Sequence, residues 1–351
     1  MKITYYVQQY RPEYEAVSKE VHLLNEYFSQ THVTRIHNLH LDNLFEYSYN
    51  RKMISYHFCY YPVLFPFTYW ASKKSDINHI YTSLGDLPYL NIINLKKTIL
   101  TAAASCNTEK VKKRIKLLEK VPCIVTETEL QRGQLEKLGI NKEKIKLISP
   151  AVDTSSFSYR PASGNFKIIY ASCPTRSQDF DKRGIFMLLD FARRNRRIQL
   201  TLIWRIEAAE KMEELLRREK NKNILLKNKI IEDMNQEYGK VHATIIPYTK
   251  YDNFLKLIPN SALESLAAGK PLLVSTKTEL AKIVEKHKCG VTFDPSENNL
   301  QEAFLELEKN YELYQMNCRT TAEKLFSKDR FLREYALLYQ ELHLKEMEER
   351  S

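Results

Sequence analysis

Residues 258–275 read Ile258-Pro-Asn-Ser-Ala-Leu-Glu-Ser-Leu-Ala-Ala-Gly-Lys-Pro-Leu-Leu-Val-Ser275. Pro259 with Asn260 and Ser261 opens a helix, because proline's fixed φ and short polar side chains both suit a first turn. Leu263, Leu266 and Ala267 form its buried stripe, and Gly269 closes it by accepting a left-handed backbone. Pro271 to Val274 is then an apolar run too short for a helix and reads as a buried strand. Glu264 falls in the first turns of the helix. A carboxylate there can accept two hydrogen bonds from adjacent hydroxyls, and its charge suits the positive end of the helix dipole. On this stretch alone an ordinary surface helix residue is the simpler reading.

The same alternation extends outward. Downstream come a helix from Glu279 to Lys286, a strand from Val291 to Phe293 and two long helices to the end. Upstream, strands are expected at Phe166–Tyr170, Ile198–Ile203, Ile224–Leu226 and Ala243–Ile246, with helices at Gly184–Arg194, Ala208–Arg218 and Asp233–Tyr238 between them. The N-terminal half opens with a strand at Met1–Val7 and an amphipathic stretch carrying Val17, Val21, Leu24 and Phe28. It continues through apolar runs beginning at Ile54, Ile77, Thr98 and Cys123, a helix at Glu129–Leu138 and a strand at Ile145–Ile148. Strands that alternate with helices imply parallel sheets covered on both faces. Periodicity lapses around Pro150 to Asn165, where a linker is expected. With 351 residues the chain is long enough for two domains.

Composition narrows the class. Hydrophobic residues at 43% and charged residues at 28% exclude disordered and collagen-like chains. No apolar run is long enough to span a membrane, and the first residues lack the apolar core of a signal peptide, so a cytoplasmic location is expected. The six cysteines form no C-x-x-C pair, which argues against a zinc site or a disulfide framework. The net charge of +11 favours an anionic partner: nucleic acid, anionic lipid or phosphorylated small molecule.

In an open parallel sheet, ligands bind beyond the carboxyl ends of the strands, where helix N-termini offer N–H groups to phosphate. The first such turn in the second half, residues 171–184, places Arg176, Lys182 and Arg183 just before a helix. Arginine supplies a planar fork and lysine a point charge for a diphosphate, although a solvated basic loop is the simpler reading.

The order of motifs resembles the retaining family-4 glycosyltransferases, the glycosyl transferases group 1. The resemblance runs through Val121-Pro-Cys-Ile-Val-Thr-Glu-Thr-Glu129, Gln134-Leu-Glu-Lys-Leu-Gly-Ile140, Lys144 to Phe157, Arg183-Gly184 with Arg176 upstream, Glu264 to Pro271, and Phe331 to Tyr339. It implies an α/β chain of the GT-B fold, two Rossmann-like doubly wound parallel-sheet domains facing across a cleft. Residues 1–155 would be the acceptor domain, 156–328 the nucleotide-sugar donor domain, and 329–351 a helix returning to the first. The implied diphosphate contacts are Arg176, Lys182, Arg183 and, in a turn where the family has glycines, Arg205 after Trp204. Salt bridging within the fold is an equal reading of Arg205. The implied nucleotide and ribose contacts are Asn260, Ser261, Leu263 and Glu264. Lys256 stands eight residues before Glu264, where the family has a first glutamate, and is the candidate donor-sugar contact. Gln8 to Glu13 replaces a glycine-rich turn, and Ala102-Ala-Ala-Ser105 stands where a histidine is usual. No residue is assigned a catalytic role.

The function implied is transfer of a hexose from a nucleotide-diphosphate sugar, with retention, to a glycan or lipid-linked acceptor, without metal or other cofactor. Asp179-Phe-Asp181 looks like a metal motif of another glycosyltransferase fold, but it lies among cations. A sugar or sugar-phosphate transferase of small-molecule metabolism, and a non-catalytic GT-B subunit that binds nucleotide sugar or a partner transferase, are the alternatives. Residues 110–120 are basic, with Val111, Ile115 and Leu118 at helical spacing, and Leu64 to Trp70 are rich in aromatics. Both suggest peripheral attachment to the inner face of an anionic membrane, against the plain reading of a solvated helix and an aromatic core loop. No nucleic-acid motif is present.

Overall fold

The computed structural model describes all residues except 14, 41–43, 45–47, 83–86, 175, 206–207, 220–221, 251–255 and 349–351. The chain divides into two compact units, Met1–Pro150 with Asn253–Leu257 and Lys328–Ser351, and Ala151–Asp252 with Ile258–Ser327.

The first unit contains strands β1 (Lys2–Gln8), β2 (Val33–His40), β3 (Ser48–Tyr49), β4 (Met53–His57), β5 (Ile77–Thr82), β6 (Thr98–Ala102), β7 (Cys123–Thr126) and β8 (Ile145–Leu147). They form one sheet in the order β3-β4-β2-β1-β5-β6-β7-β8. All neighbours are parallel except the two-residue β3, which runs antiparallel to β4 at the edge. Its helices are α1 (Ala16–Phe28), α2 (Tyr61–Lys74), the single turns α3 (Glu109–Lys112) and α4 (Ile115–Leu118), and α5 (Glu129–Lys137). Parallel strands need right-handed crossovers. The steps from β4 to β5, β5 to β6, β6 to β7 and β7 to β8 all run one way along the sheet, so α2 to α5 share one face. The step from β1 to β2 runs the other way and carries α1 to the opposite face.

The second unit contains β9 (Lys167–Tyr170), α6 (Ile185–Arg194), β10 (Gln199–Trp204), α7 (Ala209–Glu219), β11 (Ile224–Asn228), α8 (Met234–Gly239), β12 (Ala243–Ile246), α9 (Asn260–Ala267), β13 (Leu272–Ser275), α10 (Leu280–His287), β14 (Gly290–Phe293), α11 (Glu297–Lys309) and α12 (Tyr311–Phe326). Its sheet, β11-β10-β9-β12-β13-β14, is wholly parallel. The order reverses at β9, with β10 on one side and β12 on the other. That is the switch point at which such sheets bind ligands. The four residues of β12 and of β13 are all buried, as continuous apolar runs in a parallel sheet require.

The final helix, α13 (Lys328–Glu348), packs in the first unit, where His79 ties it to the sheet. Its Nδ1 bonds the Tyr339 hydroxyl at 2.7 Å and its Nε2 the Thr101 hydroxyl at 2.8 Å; Thr101 in turn bonds Tyr335 at 2.8 Å. Burial lowers the His79 pKa to about 3, so the ring is neutral and donates at one nitrogen while accepting at the other.

Besides the unread strands β2 and β3, three elements differ from the sequence expectations. The end of the chain is three helices, because Asn310 and Ser327 each interrupt what reads as continuous helical spacing. Residues 61–74 form a helix despite Pro66, not an aromatic core loop. Residues 110–120 are two single turns broken at Lys113 and Arg114, with Val111 and Leu118 buried and Ile115 packed on the core. Their apolar side therefore points inward and is not available to a lipid surface. All six cysteines are free, and only Cys59 is exposed. No described helix is long and apolar enough to cross a membrane.

Candidate functional site

The second unit gathers most of the candidate residues at the carboxyl ends of β9, β10 and β12. Past β9 the chain turns through residues 171–184 before α6, and this basic loop is held from below by an aromatic pair. Phe180 is fully buried and meets Trp204, the last residue of β10, edge to face at 5.5 Å between centroids. Trp204 thus fills the space in which a glycine would leave a gap, and it fixes the loop. Gly184 caps α6 with φ of 71°, and a Cβ there would lie 1.8 Å from the Pro247 carbonyl oxygen. Only glycine lets the loop close against the end of β12.

The cations of the loop have different settings. Arg183 is half-buried, donates from Nη1 to the Tyr248 hydroxyl at 2.7 Å, and keeps its guanidinium 5.0 Å from that ring's centroid. The Lys182 carbonyl accepts from the Thr249 N–H at 3.0 Å, which pins the backbone beneath it. Lys182 and Arg176 share Asp179, at 3.8 and 3.4 Å, and the Arg176 side chain is 71% exposed. Asp181 pairs with Lys250 at 2.8 Å. Both acids of the Asp-x-Asp stretch are thus engaged by cations. Among the described residues no group of three or more His, Cys, Asp and Glu is placed to hold a metal ion. Arg205 follows Trp204 directly and is half-buried. Burial holds the Tyr170 hydroxyl well above its ordinary pKa, against the nearby charges of Arg183 and Arg205.

From Tyr170 a polar chain runs to α9. The Tyr170 hydroxyl donates to the Ser172 carbonyl at 2.6 Å, and the Ser172 and Ser261 hydroxyls lie 2.9 Å apart. The Tyr238 hydroxyl meets both the Ser261 carbonyl at 3.0 Å and Glu264 Oε2 at 3.3 Å. Burial raises the Tyr238 pKa far above its usual value, and the Glu264 charge adds to this, so the phenol stays protonated and donates. Glu264 is 8% exposed, a carboxylate at the rim of the core rather than on an open helix face. Asn260 is half-buried at the first helical position, where Pro259 provides no side-chain cap. Leu263 is fully buried, which leaves its backbone as the part that could meet a ligand.

Lys256 lies elsewhere, in the first unit. Its ammonium bonds Glu20 of α1 and sits 3.5 Å from Glu127, the first residue beyond β7. Both carboxylates are fully buried, and Glu20 also accepts from the Tyr81 hydroxyl at 2.6 Å. Neither Glu127 oxygen has a hydrogen-bond partner, and burial first, then the Glu20 charge, raises its pKa well above the carboxylate range against the pull of Lys256. Burial and the neighbouring Glu20 charge thus favour the protonated form of Glu127. Next to it, Gln131 donates to the carbonyls of Ala102 and Ala104 at 2.7 and 2.9 Å. Gln134 accepts from Cys106 N at 2.7 Å, so α5 fixes the turn after β6.

Sequence reading missed Tyr238, Tyr248, Ser172, Glu20 and Glu127. Their partners lie 26 to 236 positions away along the chain, and no local spacing signals them. Gln131 was legible, since Thr128-x-x-Gln131 is a capping box and forms one.

The sequence profile of the glycosyl transferases group 1 matches residues 178–310, which contain most of this site. None of the curated proteins matches the chain in sequence. Among solved structures, Anabaena HepE in complex with UDP and glucose superposes with a TM-score of 0.77 at 12% identity, over 97% of this chain and 99% of that one. Sucrose-phosphate synthase from Thermosynechococcus elongatus gives 0.76 at 15% identity, over 98% and 99%. The lipopolysaccharide outer core galactosyltransferase WaaB gives 0.70 at 12% identity, over 97% and 100%. The chain thus has the GT-B fold, and residues 178–310 carry the signature of the glycosyl transferases group 1, the family that its sequence motifs resemble.

Proposed function

We propose that the protein is a retaining glycosyltransferase that moves a hexosyl group from a nucleoside-diphosphate sugar to a hydroxyl of a glycan or lipid-linked acceptor at a membrane surface. The observation that carries this reading is the polar chain in the second unit from Tyr170 through Ser172 and Ser261 to Tyr238 and Glu264, which starts at the turn that carries Arg176, Lys182 and Arg183. It joins the turn after β9, which carries the cations, to a carboxylate able to accept from hydroxyls, and a nucleoside diphosphate calls for both. Arg176, Lys182, Arg183 and Arg205 would neutralise the diphosphate. Asn260 and Ser261 would offer the N-terminus of α9, and Glu264 would accept from the two ribose hydroxyls.

In the reaction the bond from the sugar C1 to the diphosphate oxygen breaks and a C1–O bond to the acceptor hydroxyl forms on the same face. The hydroxyl proton passes to the departing phosphate. The protein positions the reactants and stabilises the charge that develops on the leaving group, which the cations of the loop suffice to do. No metal or other cofactor enters this scheme. HepE is recorded with UDP and glucose, and WaaB is named a galactosyltransferase of a cell-surface glycan, which supports both the donor class and the acceptor class.

The test is a thermal-shift screen of nucleoside diphosphates and their sugars, repeated on Glu264→Ala. We expect stabilisation of the wild type by one nucleotide and a loss of affinity of about tenfold or more in the variant. A wild type that responds to no nucleotide, or a variant that responds equally, refutes the site. A second reading, a non-catalytic GT-B subunit that binds the donor, is favoured by the engagement of Lys256 with Glu20 and Glu127 where the family has a glutamate. Donor hydrolysis by the purified protein decides between them.

A further inference from the structure

Helix α2 is built inside out. A surface helix ordinarily turns its apolar stripe to the core and its polar face to water. Here the inward stripe is Leu64, Thr68 and Ser72, at helical spacing. Thr68 and Ser72 are buried, the Tyr56 and Thr68 hydroxyls lie 3.4 Å apart, and Ser72 Oγ accepts from the Asn94 N–H at 3.0 Å. The outward side carries Val63 at 71% exposure, Phe67 at 69% and Trp70 at 59%, with Phe65 and Tyr69 also exposed. Apolar clusters of this kind on a folded surface mark a binding face.

We infer that α2 is the segment of the first unit that enters an anionic lipid bilayer surface; the inference deepens the membrane-acting glycosyltransferase reading and rests on it. Charge selects the occupant. The helix has no acidic residue in its first turn, and it ends in Lys73 and Lys74, whose ammonium groups lie 4.6 Å from the Tyr69 ring centroid and 3.3 Å from that of Trp70. Aromatic rings beside snorkelling lysines fit the boundary between acyl chains and headgroups. The cations of residues 110–120 stand on α3 and α4, which cover the same sheet face as α2, and Leu64, Ile115 and Leu117 pack on one core cluster. Their apolar side is spent on that core, so they serve as the charged apron of the surface while α2 supplies its apolar edge. A second copy of the chain on the same face would bring Lys73 and Lys74 against their own equivalents, which like charge opposes.

The protein contains two tryptophans, Trp70 and the fully buried Trp204, so fluorescence isolates the event. With phosphatidylcholine vesicles containing phosphatidylglycerol, we expect a blue shift of emission that pure phosphatidylcholine does not produce, and its loss in Trp70→Phe. Val63→Ser with Phe67→Ser changes only exposed side chains and should weaken vesicle binding by about tenfold or more while leaving the thermal midpoint and the nucleotide response unchanged. No blue shift on anionic vesicles overturns the inference. So does a shift that grows with protein concentration in the absence of lipid, which would mark a second copy. A protein that nucleotide stabilises but lipid does not shift loses this inference alone; one that lipid shifts but no nucleotide stabilises loses the donor site instead.

Discussion

Glu127 and Glu264 are two carboxylates near the carboxyl ends of parallel strands, one in each unit, and the chain treats them in opposite ways. Glu127 is sealed: no hydrogen-bond donor reaches it, and the charge of Lys256 is shared with Glu20. Glu264 lies at the rim of its core with the neutral Tyr238 phenol as donor. The difference shows that a carboxylate's place in a Rossmann-like unit does not define its role. What surrounds it does: burial without a donor seals one carboxylate inside its unit, and a phenol donor holds the other at the rim.

The comparison can be broken most forcefully at Lys256. Lys256→Met leaves two acids buried around an apolar stem, and we expect a loss of about 3–5 kcal/mol from the first unit, read by urea denaturation through Trp70. Adding Glu127→Gln should restore part of that loss, because it removes one of the two stranded acids; no recovery would mean that Glu127 is not coupled to the lysine. Next in size is Gly184→Ala, which forces a side chain into the Pro247 carbonyl at a left-handed φ. A cost of about 2–4 kcal/mol should appear in the Trp204 transition, with weaker nucleotide binding from a displaced loop.

A smaller effect is expected for Tyr238→Phe. It removes the donor to Glu264 and to the Ser261 carbonyl and keeps the ring, so stability should fall by about 1 kcal/mol and nucleotide affinity by several-fold, measured by thermal shift and calorimetry. The smallest effect concerns Lys270, which donates to the Arg160 carbonyl at 2.6 Å and whose pKa burial lowers from 10.5 to about 8. Above pH 8 the fold holds fewer protons at this site than the unfolded chain does. The second unit should therefore gain stability as pH rises from 8 towards 10. Lys270→Met should flatten that rise, and an unchanged slope would show that another group governs it.

Strands and helices of the second unit as far as β14 were legible to within a residue or two, because each buried strand is a short apolar run between a helix and a turn. β2 was not, since Val33-Thr-Arg-Ile-His-Asn-Leu-His40 mixes polar residues whose partners lie on other elements, such as Asn38 bonding Ser55 at 2.9 Å. Residues 64–70 were read as aromatics for a membrane surface or as a core loop, and the helix that carries them was not read, since Pro62 and Pro66 obscure its period. Pro62 in the first turn costs nothing, and Thr68 and Ser72 find their hydrogen bonds only in the folded unit. The basic stretch 110–120 has the right period for a helix, but its spacing could not reveal that the fold turns its apolar side inward and breaks it in the middle.

The sequence by itself determined the alternation of strand and helix, and with it the parallel sheets, since hydrophobic period and turn chemistry act between near neighbours. It also placed cations and Glu264 at strand-to-helix turns, where such sheets take ligands. Tertiary structure alone decided which charges meet. Lys256 reached Glu20 across 236 positions, and Glu264 met Tyr238 across 26. It decided as well that the aromatics of α2 face outward. Electrostatic partners and exposure depend on distances in space, which the spacing of residues along the chain does not contain.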